Sequence, residues 1–278
     1  LGDISALRTE LLQPLDLRRK VFVAGAIDFG QRLDEFFIDD RSVARFRNRG
    51  MRAGFDFGRY IGTLGEARIG YEIARVSSRL TSGLAAVPNS EDDIGAVRAL
   101  FVADRLDNWD FPRRGYYFSA DVRNASEALG GELAFMRYEL DAQSAFGIGR
   151  HGVVLAARFG ESTGDGVSIV DAFDLGGFHN LSGAQERQLL GRDVLFGRLV
   201  YRYQFGGLQR FARRLFAGGS LEAGRIQELL NTTSTADENL RLASSLFVAA
   251  ETPLGPLYLG GGISEGGDRA FYLFFGRP

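Results

Sequence analysis

Apolar and polar side chains alternate with period two along most of this 278-residue chain. Ala67, Ile69, Tyr71 and Ile73 interleave with Glu66, Arg68, Gly70 and Glu72. Tyr116, Phe118, Ala120 and Val122 oppose Tyr117, Ser119, Asp121 and Arg123. Leu195, Leu199, Tyr201, Tyr203 and Phe205 oppose Arg198, Arg202 and Gln204; Leu215, Ala217, Leu221 and Ala223 oppose Arg214, Ser220 and Glu222. Successive strand side chains point to opposite faces, so each segment has one greasy and one polar face. Convincing helical periodicity is almost nowhere found. Strands are expected at 4–14, 20–30, 44–59, 64–76, 94–106, 114–124, 131–143, 150–161, 193–205, 212–224, 240–251, 256–264 and 269–276. Many exceed the ~5–6 residues usual in soluble proteins and match the ~9–11 that cross a bilayer at a tilt.

The link Tyr60–Thr63 is short, whereas Ser77–Asp93 and Ser162–Arg192 are long. Short turns at one rim and long loops at the other are the habit of outer-membrane barrels. A soluble β-sandwich also alternates, but with shorter strands and tight turns on both sides. The polar face carries full charges, including Arg198, Arg202, Arg214, Glu222 and Glu251, which suits a wet lumen. No run approaches the ~20 apolar residues of a membrane helix. Glycines Gly218, Gly219, Gly224, Gly260, Gly261 and Gly262 fall inside strands, where they are tolerated if a strand bends or another backbone comes close. A net charge of −2 argues against a nucleic-acid binder. The run Arg41, Arg45, Arg47, Arg49 and Arg52 is broken by Phe46 and reads as a strand with a charged lumen or loop face. The expected fold is therefore an all-β transmembrane antiparallel barrel.

The segment Phe173 to Ala184, FDLGGFHNLSGA, resembles the sixth extracellular loop of the bacterial surface antigen barrels. That superfamily includes barrel-assembly proteins, two-partner secretion transporters and the barrels of patatin-like outer-membrane phospholipases. Gly176 and Gly177 match its Gly-Gly pair, and Leu181, Ser182, Gly183 and Ala184 fall on its Val-Arg-Gly-Phe positions. The resemblance implies sixteen strands, eleven before this loop and five after it. About thirteen are expected in this chain, which then begins inside a longer protein. The segments LLQPLD (11–16), RLDNWDFPRRG (105–115) and TPLGPLYLG (252–260) are most similar to the patatin-linked and translocation-assembly branches. Two departures stand out: the family arginine is Ser182 and its aromatic is Ala184. The resemblance implies that this arginine pairs with acids on the two strands after the loop. Those positions hold Val200 and Glu222, the latter in Glu222-Ala223-Gly224. Ser182 is left to hydrogen-bond in the lumen, and Glu222 to pair with Arg198 or Arg202.

Gly160, Glu161, Ser162, Thr163 and Gly164 spell G-x-S-x-G, followed by Asp165-Gly166. A nucleophile elbow needs a strand, a turn and then a helix. The sequence after it has no helical pattern, so Ser162 reads as the start of the long loop. His151 and His179 lack metal-ligand spacing and read as rim or lumen packing. Trp109, Phe111, Tyr116 and Tyr117 suit an interfacial belt or a plain hydrophobic cluster. No catalytic, cofactor or metal site is expected. The expected location is the bacterial outer membrane. The expected partners are its lipid and the protein's own passenger and periplasmic domains, with a homodimer left open. The function implied is a barrel that anchors and translocates a passenger, of patatin-like phospholipase type. The alternatives are an assembly or two-partner secretion barrel without a hydrolase, and a barrel enzyme or simple porin.

Lipid-facing rows such as Tyr116, Phe118, Ala120 and Val122 would otherwise expose a large apolar surface. The expressed chain is therefore expected to partition into detergent micelles and give a β-dominated circular dichroism spectrum. A monodisperse, detergent-free monomer would contradict this.

Overall fold

The computed structural model describes residues 4–38, 41–83, 89–164, 168–208, 212–230 and 239–276. The strands in chain order are β1 (Ile4–Pro14), β2 (Val21–Ile38), β3 (Arg41–Ile61), β4 (Gly65–Gly83), β5 (Ser90–Asp104), β6 (Gly115–Ala125), β7 (Phe135–Ile148), β8 (His151–Thr163), β9 (Phe173–Leu175), β10 (Leu189–Leu208), β11 (Ala212–Leu229), β12 (Arg241–Thr252), β13 (Gly255–Ser264) and β14 (Arg269–Phe275). All but the three-residue β9 form an antiparallel meander in which each strand pairs with the next; β9 pairs only with β10. The result is one 14-stranded sheet, in which β1 and β14 do not pair with each other among the described residues. The single helical element described is a 3-10 turn at Glu127–Leu129.

Alternation decides the two faces. Outward side chains form an exposed apolar band that includes Ile27, Phe55, Ile69, Tyr71, Phe118, Leu140, Leu155, Leu199, Leu221, Leu246 and Leu259. Inward side chains form ion pairs: Arg123 with Glu72 at 2.6 Å, Arg98 with Asp121, Arg137 with Glu139 at 2.8 Å and Arg214 with Glu251 at 2.5 Å. Every strand backbone inside lipid must find its partner in the next strand, because nothing else there can hydrogen-bond it.

Several strands outrun their expected bounds. The segment 77–93 is largely ladder, because Ser77 pairs with Glu91 and Ser78 with Ser90. Here alternation is carried by outward ion pairs, Arg75–Asp93 at 2.7 Å and Arg79–Glu91 at 3.2 Å, so hydropathy gives no strand signal. The arginine run behaves alike. Arg45 pairs outward with Glu35 and Arg49 bonds Gln31, above the apolar band of β3, while Arg52 turns into the lumen onto Asp171. The side chain of Arg41 lies outside the described residues.

The β5–β6 connection, residues 105–114, corrects the aromatic-belt reading. It turns into the lumen. Asn108 Oδ1 accepts from the Asp110 and Phe111 amides, and Asp107 Oδ1 from Arg113 N at 2.8 Å and Arg114 N at 3.1 Å. Burial pushes the Asp107 carboxyl up, but these amides outweigh it and hold it below the usual range. Phe111, 1% exposed, stacks on Phe216 at 4.5 Å and Tyr258 at 5.6 Å. Trp109 packs on Tyr117 at 5.1 Å, so of the four aromatics only Tyr116 faces lipid.

Leu199 sits mid-band, flanked across the ladder by Leu155 and Leu221. Leu199→Arg is expected to cost about 2–4 kcal/mol of folding free energy in liposomes. Lumen-facing Gln143→Glu, at a position that borders the same cavity as Arg198 and Arg202, should cost far less in the same denaturant titration.

Candidate functional site: the loop docked in the lumen

The connection from β8 to β10 enters the barrel rather than standing clear of it. β9 adds to the start of β10 through Phe173–Gly191 and Leu175–Leu189 pairing. Phe173, Leu175, Leu181, Ala184 and Leu189 then bury themselves against Val194, Phe196, Ile226 and Ala243 of the wall. Gly176 and Gly177 have φ of 124° and 102°, and a Cβ on Gly176 would fall on the Gln185 carbonyl. The Gly-Gly pair thus forms a fold-back that other residues would strain.

The tip centres on Glu222 of β11, a carboxylate only 3% exposed. Its Oε2 accepts the amides of Leu181 and Ser182, both at 2.7 Å. Its Oε1 accepts the hydroxyls of Ser182 at 2.8 Å and Ser220 at 2.5 Å. Four donors can satisfy a buried carboxylate. The expectation that Glu222 pairs with Arg198 or Arg202 is therefore corrected: Arg198 Nη1 donates to His179 O at 2.9 Å, and Arg202 Nη2 to Pro112 O. Val200, at the other acid position, is buried against the Phe111 cluster.

Two close approaches seat the tip. Gly183 has φ 106°, and a Cβ there would strike the backbone of Ile263 and Ser264. A Cβ on Gly262 would come 2.7 Å from that of Ser182. Gly224 gives room for Leu175 and Phe196, since its Cβ would lie 2.9 Å and 3.0 Å from them. The hydroxyl of Tyr272 on β14 accepts Gly183 N at 2.8 Å. Phe178 packs among Phe247, Tyr258, Tyr272 and Phe274.

The loop's cationic contact lies elsewhere, at a residue not singled out by the motif. Arg187 reaches Asp34 of β2 at 2.7 Å and Asp174 at 2.8 Å. Asp171 accepts Arg52 of β3 and, at 3.0 Å, Arg123 of β6. A basic residue three positions past the motif and acids before it were the sequence signal for this second anchor.

Ser162 lies within β8, paired opposite Arg137, so the G-x-S-x-G segment is strand and not a strand–turn–helix elbow. Its Oγ is buried with no hydrogen-bond partner. Asp165 and Gly166 lie outside the described residues. His151 bonds Tyr201 and His179 stacks on Phe178. Among the described residues no group of His, Cys, Asp and Glu could hold a metal ion.

The model of the Omp85 superfamily domain matches residues 9–260. The chain belongs to the Omp85 superfamily. It is an outer-membrane barrel of that superfamily. Comparison with curated protein sequences gives no significant match. Among solved structures, the Omp85 chain is similar to BamA from Haemophilus ducreyi lacking POTRA domains 1–3, at TM-score 0.75 and 10% identity, covering 98% of this chain and 61% of that one. It is similar to CdiB from Escherichia coli at TM-score 0.63 and 12% identity, covering 98% and 51%, and to CdiB from Acinetobacter baumannii at 0.59 and 10%, covering 94% and 47%. The chain thus spans about half to three-fifths of the structures it matches, and at these identities the likeness is one of fold.

Glu222→Ala strands two buried amides and removes a charged acceptor, each such bond being worth about 1.5–3 kcal/mol. Hydrogen exchange at Leu181 and Ser182 should accelerate sharply and the loop should become cleavable by added protease. Ser182→Ala keeps both amide bonds to Glu222 and is expected to show the smaller effect in both assays.

Proposed function

We propose that this chain anchors an Omp85-type protein in the outer membrane and carries a passenger domain of the same protein across it, the passenger being a patatin-like phospholipase. The supporting observation is where the three branch-like segments fall. LLQPLD ends β1 and enters its turn, RLDNWDFPRRG forms the inturned β5–β6 connection, and TPLGPLYLG spans the β12–β13 turn. All three lie at the rim of short connections, opposite the docked loop. A domain preceding the barrel in the same protein would meet that rim. The turns there are well braced: Asp16 Oδ1 accepts Lys20 N at 2.7 Å and Val21 N at 2.9 Å, and Thr252 Oγ1 donates to Gly255 O at 2.6 Å. The amide of Val21 foremost keeps the Asp16 carboxyl below its ordinary range.

The second reading is an assembly or two-partner secretion barrel with no hydrolase, favoured by the fold likeness to BamA and CdiB. The full-length protein in outer membranes distinguishes them. Phospholipid hydrolysis by that protein supports the first reading; its absence, with only periplasmic repeats preceding the barrel, supports the second. Because Ser162 sits in a strand, Ser162→Ala is expected to leave any hydrolysis unchanged. Loss of activity in a folded Ser162→Ala protein would overturn that assignment.

A further inference from the structure

Between the inturned 105–114 connection and the tip of the docked loop lies a cavity of about 230 Å3. Phe111, Phe247 and Tyr258 form much of its wall. Arg198, Arg202 and His179 border the same space. Each guanidinium spends a donor on a carbonyl, of His179 and of Pro112 respectively, and neither joins an ion pair among the described residues. Arg198 Nε and His179 Nε2 are shielded from solvent and have no hydrogen-bond partner. Among the described residues Asp110 is the one acid on the border, so the lining has two cations to one anion; Glu222 and Asp141 act on Arg198 from outside the lining, without an ion-pair contact. A buried charge without a partner is costly, and a donor left unmade adds to that cost.

We propose that this cavity binds one carboxylate, held where Arg198, Arg202 and His179 Nε2 converge against the Phe111–Phe247–Tyr258 wall. At ~30 Å3 per liquid water the space holds roughly eight waters, which suits a carboxylate on a short carbon body and not a drug-sized ligand. The guanidinium fork matches a carboxylate in shape as well as charge. His179 Nε2 supplies a further N–H in the tautomer that carries its proton there. The apolar wall covers the carbon side. The carboxylate comes either from a small free acid or from an Asp or Glu side chain of a polypeptide inside the lumen. The site stands independently of the phospholipase reading, because it is made only of lumen residues.

Trp109, the one tryptophan of the 278 residues, borders the cavity and is 46% exposed, so it reports occupancy. The experiment titrates the protein in detergent micelles with iodide, an anion that quenches tryptophan fluorescence. Saturable quenching is expected. Arg202→Gln is expected to raise the half-saturating iodide concentration about ten-fold, the effect of losing one charged hydrogen bond. Gln143 also borders the cavity, and Gln143→Glu supplies an internal carboxylate that should remove the saturable phase without deleting any contact of the wall. Two competitors then separate the sources. Displacement of iodide by acetate assigns a free acid; displacement only by an N-acetylated, C-amidated glutamate peptide assigns a polypeptide side chain. Quenching linear in iodide, a saturable phase unchanged in both variants, or one that neither competitor displaces would overturn the proposal.

Discussion

Inside hydrocarbon an unpaired peptide N–H or C=O costs several kcal/mol, and there is no water to relieve it. The whole wall follows from that constraint. Each long strand hands its backbone groups to its sequence neighbour, which makes the meander the simplest arrangement and leaves side chains free to divide into two faces. Apolar groups go outward because lipid accepts them. Charged groups go inward, where Arg123, Glu72, Arg98 and Asp121 neutralise one another in pairs. The polar lumen then becomes a second solvent, one made of side chains, into which a loop can fold without leaving its own backbone unmatched.

That loop solves the same problem locally. Glu222 is buried, and the superfamily motif position that would offer it an arginine offers a serine instead. Two amides and two hydroxyls replace the guanidinium, and the smaller Ser182 lets the tip settle against Gly262. The ionic part of the anchor moves to Arg187 and Asp171, which grip β2, β3 and β6 on the opposite side of the lumen. A charge has been exchanged for a close fit at one end and restored as ion pairs at the other. The carbonyls of His179 and Pro112 draw Arg198 and Arg202 toward the cavity between loop and turn.

Much of this was legible in the sequence, and for a physical reason. Period-two alternation is imposed by the lipid, so each of the thirteen long strands announces itself where it crosses apolar surroundings. Beyond the bilayer the imposition stops, and β4 and β5 continue as Arg75–Asp93 and Arg79–Glu91 pairs that hydropathy cannot flag. The motif singled out Gly176, Gly177 and Gly183 by residue type alone, and in the structure all three stand at positive φ, a backbone demand that a sequence registers as glycine. It misjudged the partners of Glu222, since a carboxylate can be satisfied by amides that have no signature in the sequence. Phe111 left two readings open for a similar cause: an aromatic beside a turn reads alike whether the turn faces lipid or folds inward.

The docked loop also bears on the order in which the molecule is put together. Wall pairings are local, hairpin upon hairpin, and each can form as soon as its two strands exist. The bond from Arg187 to Asp34 joins residues 153 positions apart and that from Arg52 to Asp171 joins residues 119 apart, whereas the wall pairing of His151 with Tyr203 spans 52. Contacts of such separation carry a loop-closure penalty that short-range contacts avoid, and they form late. The run of pairings from β1 to β14 can therefore form before its interior is filled, and an assembly that stalls will do so as a correctly paired but hollow shell.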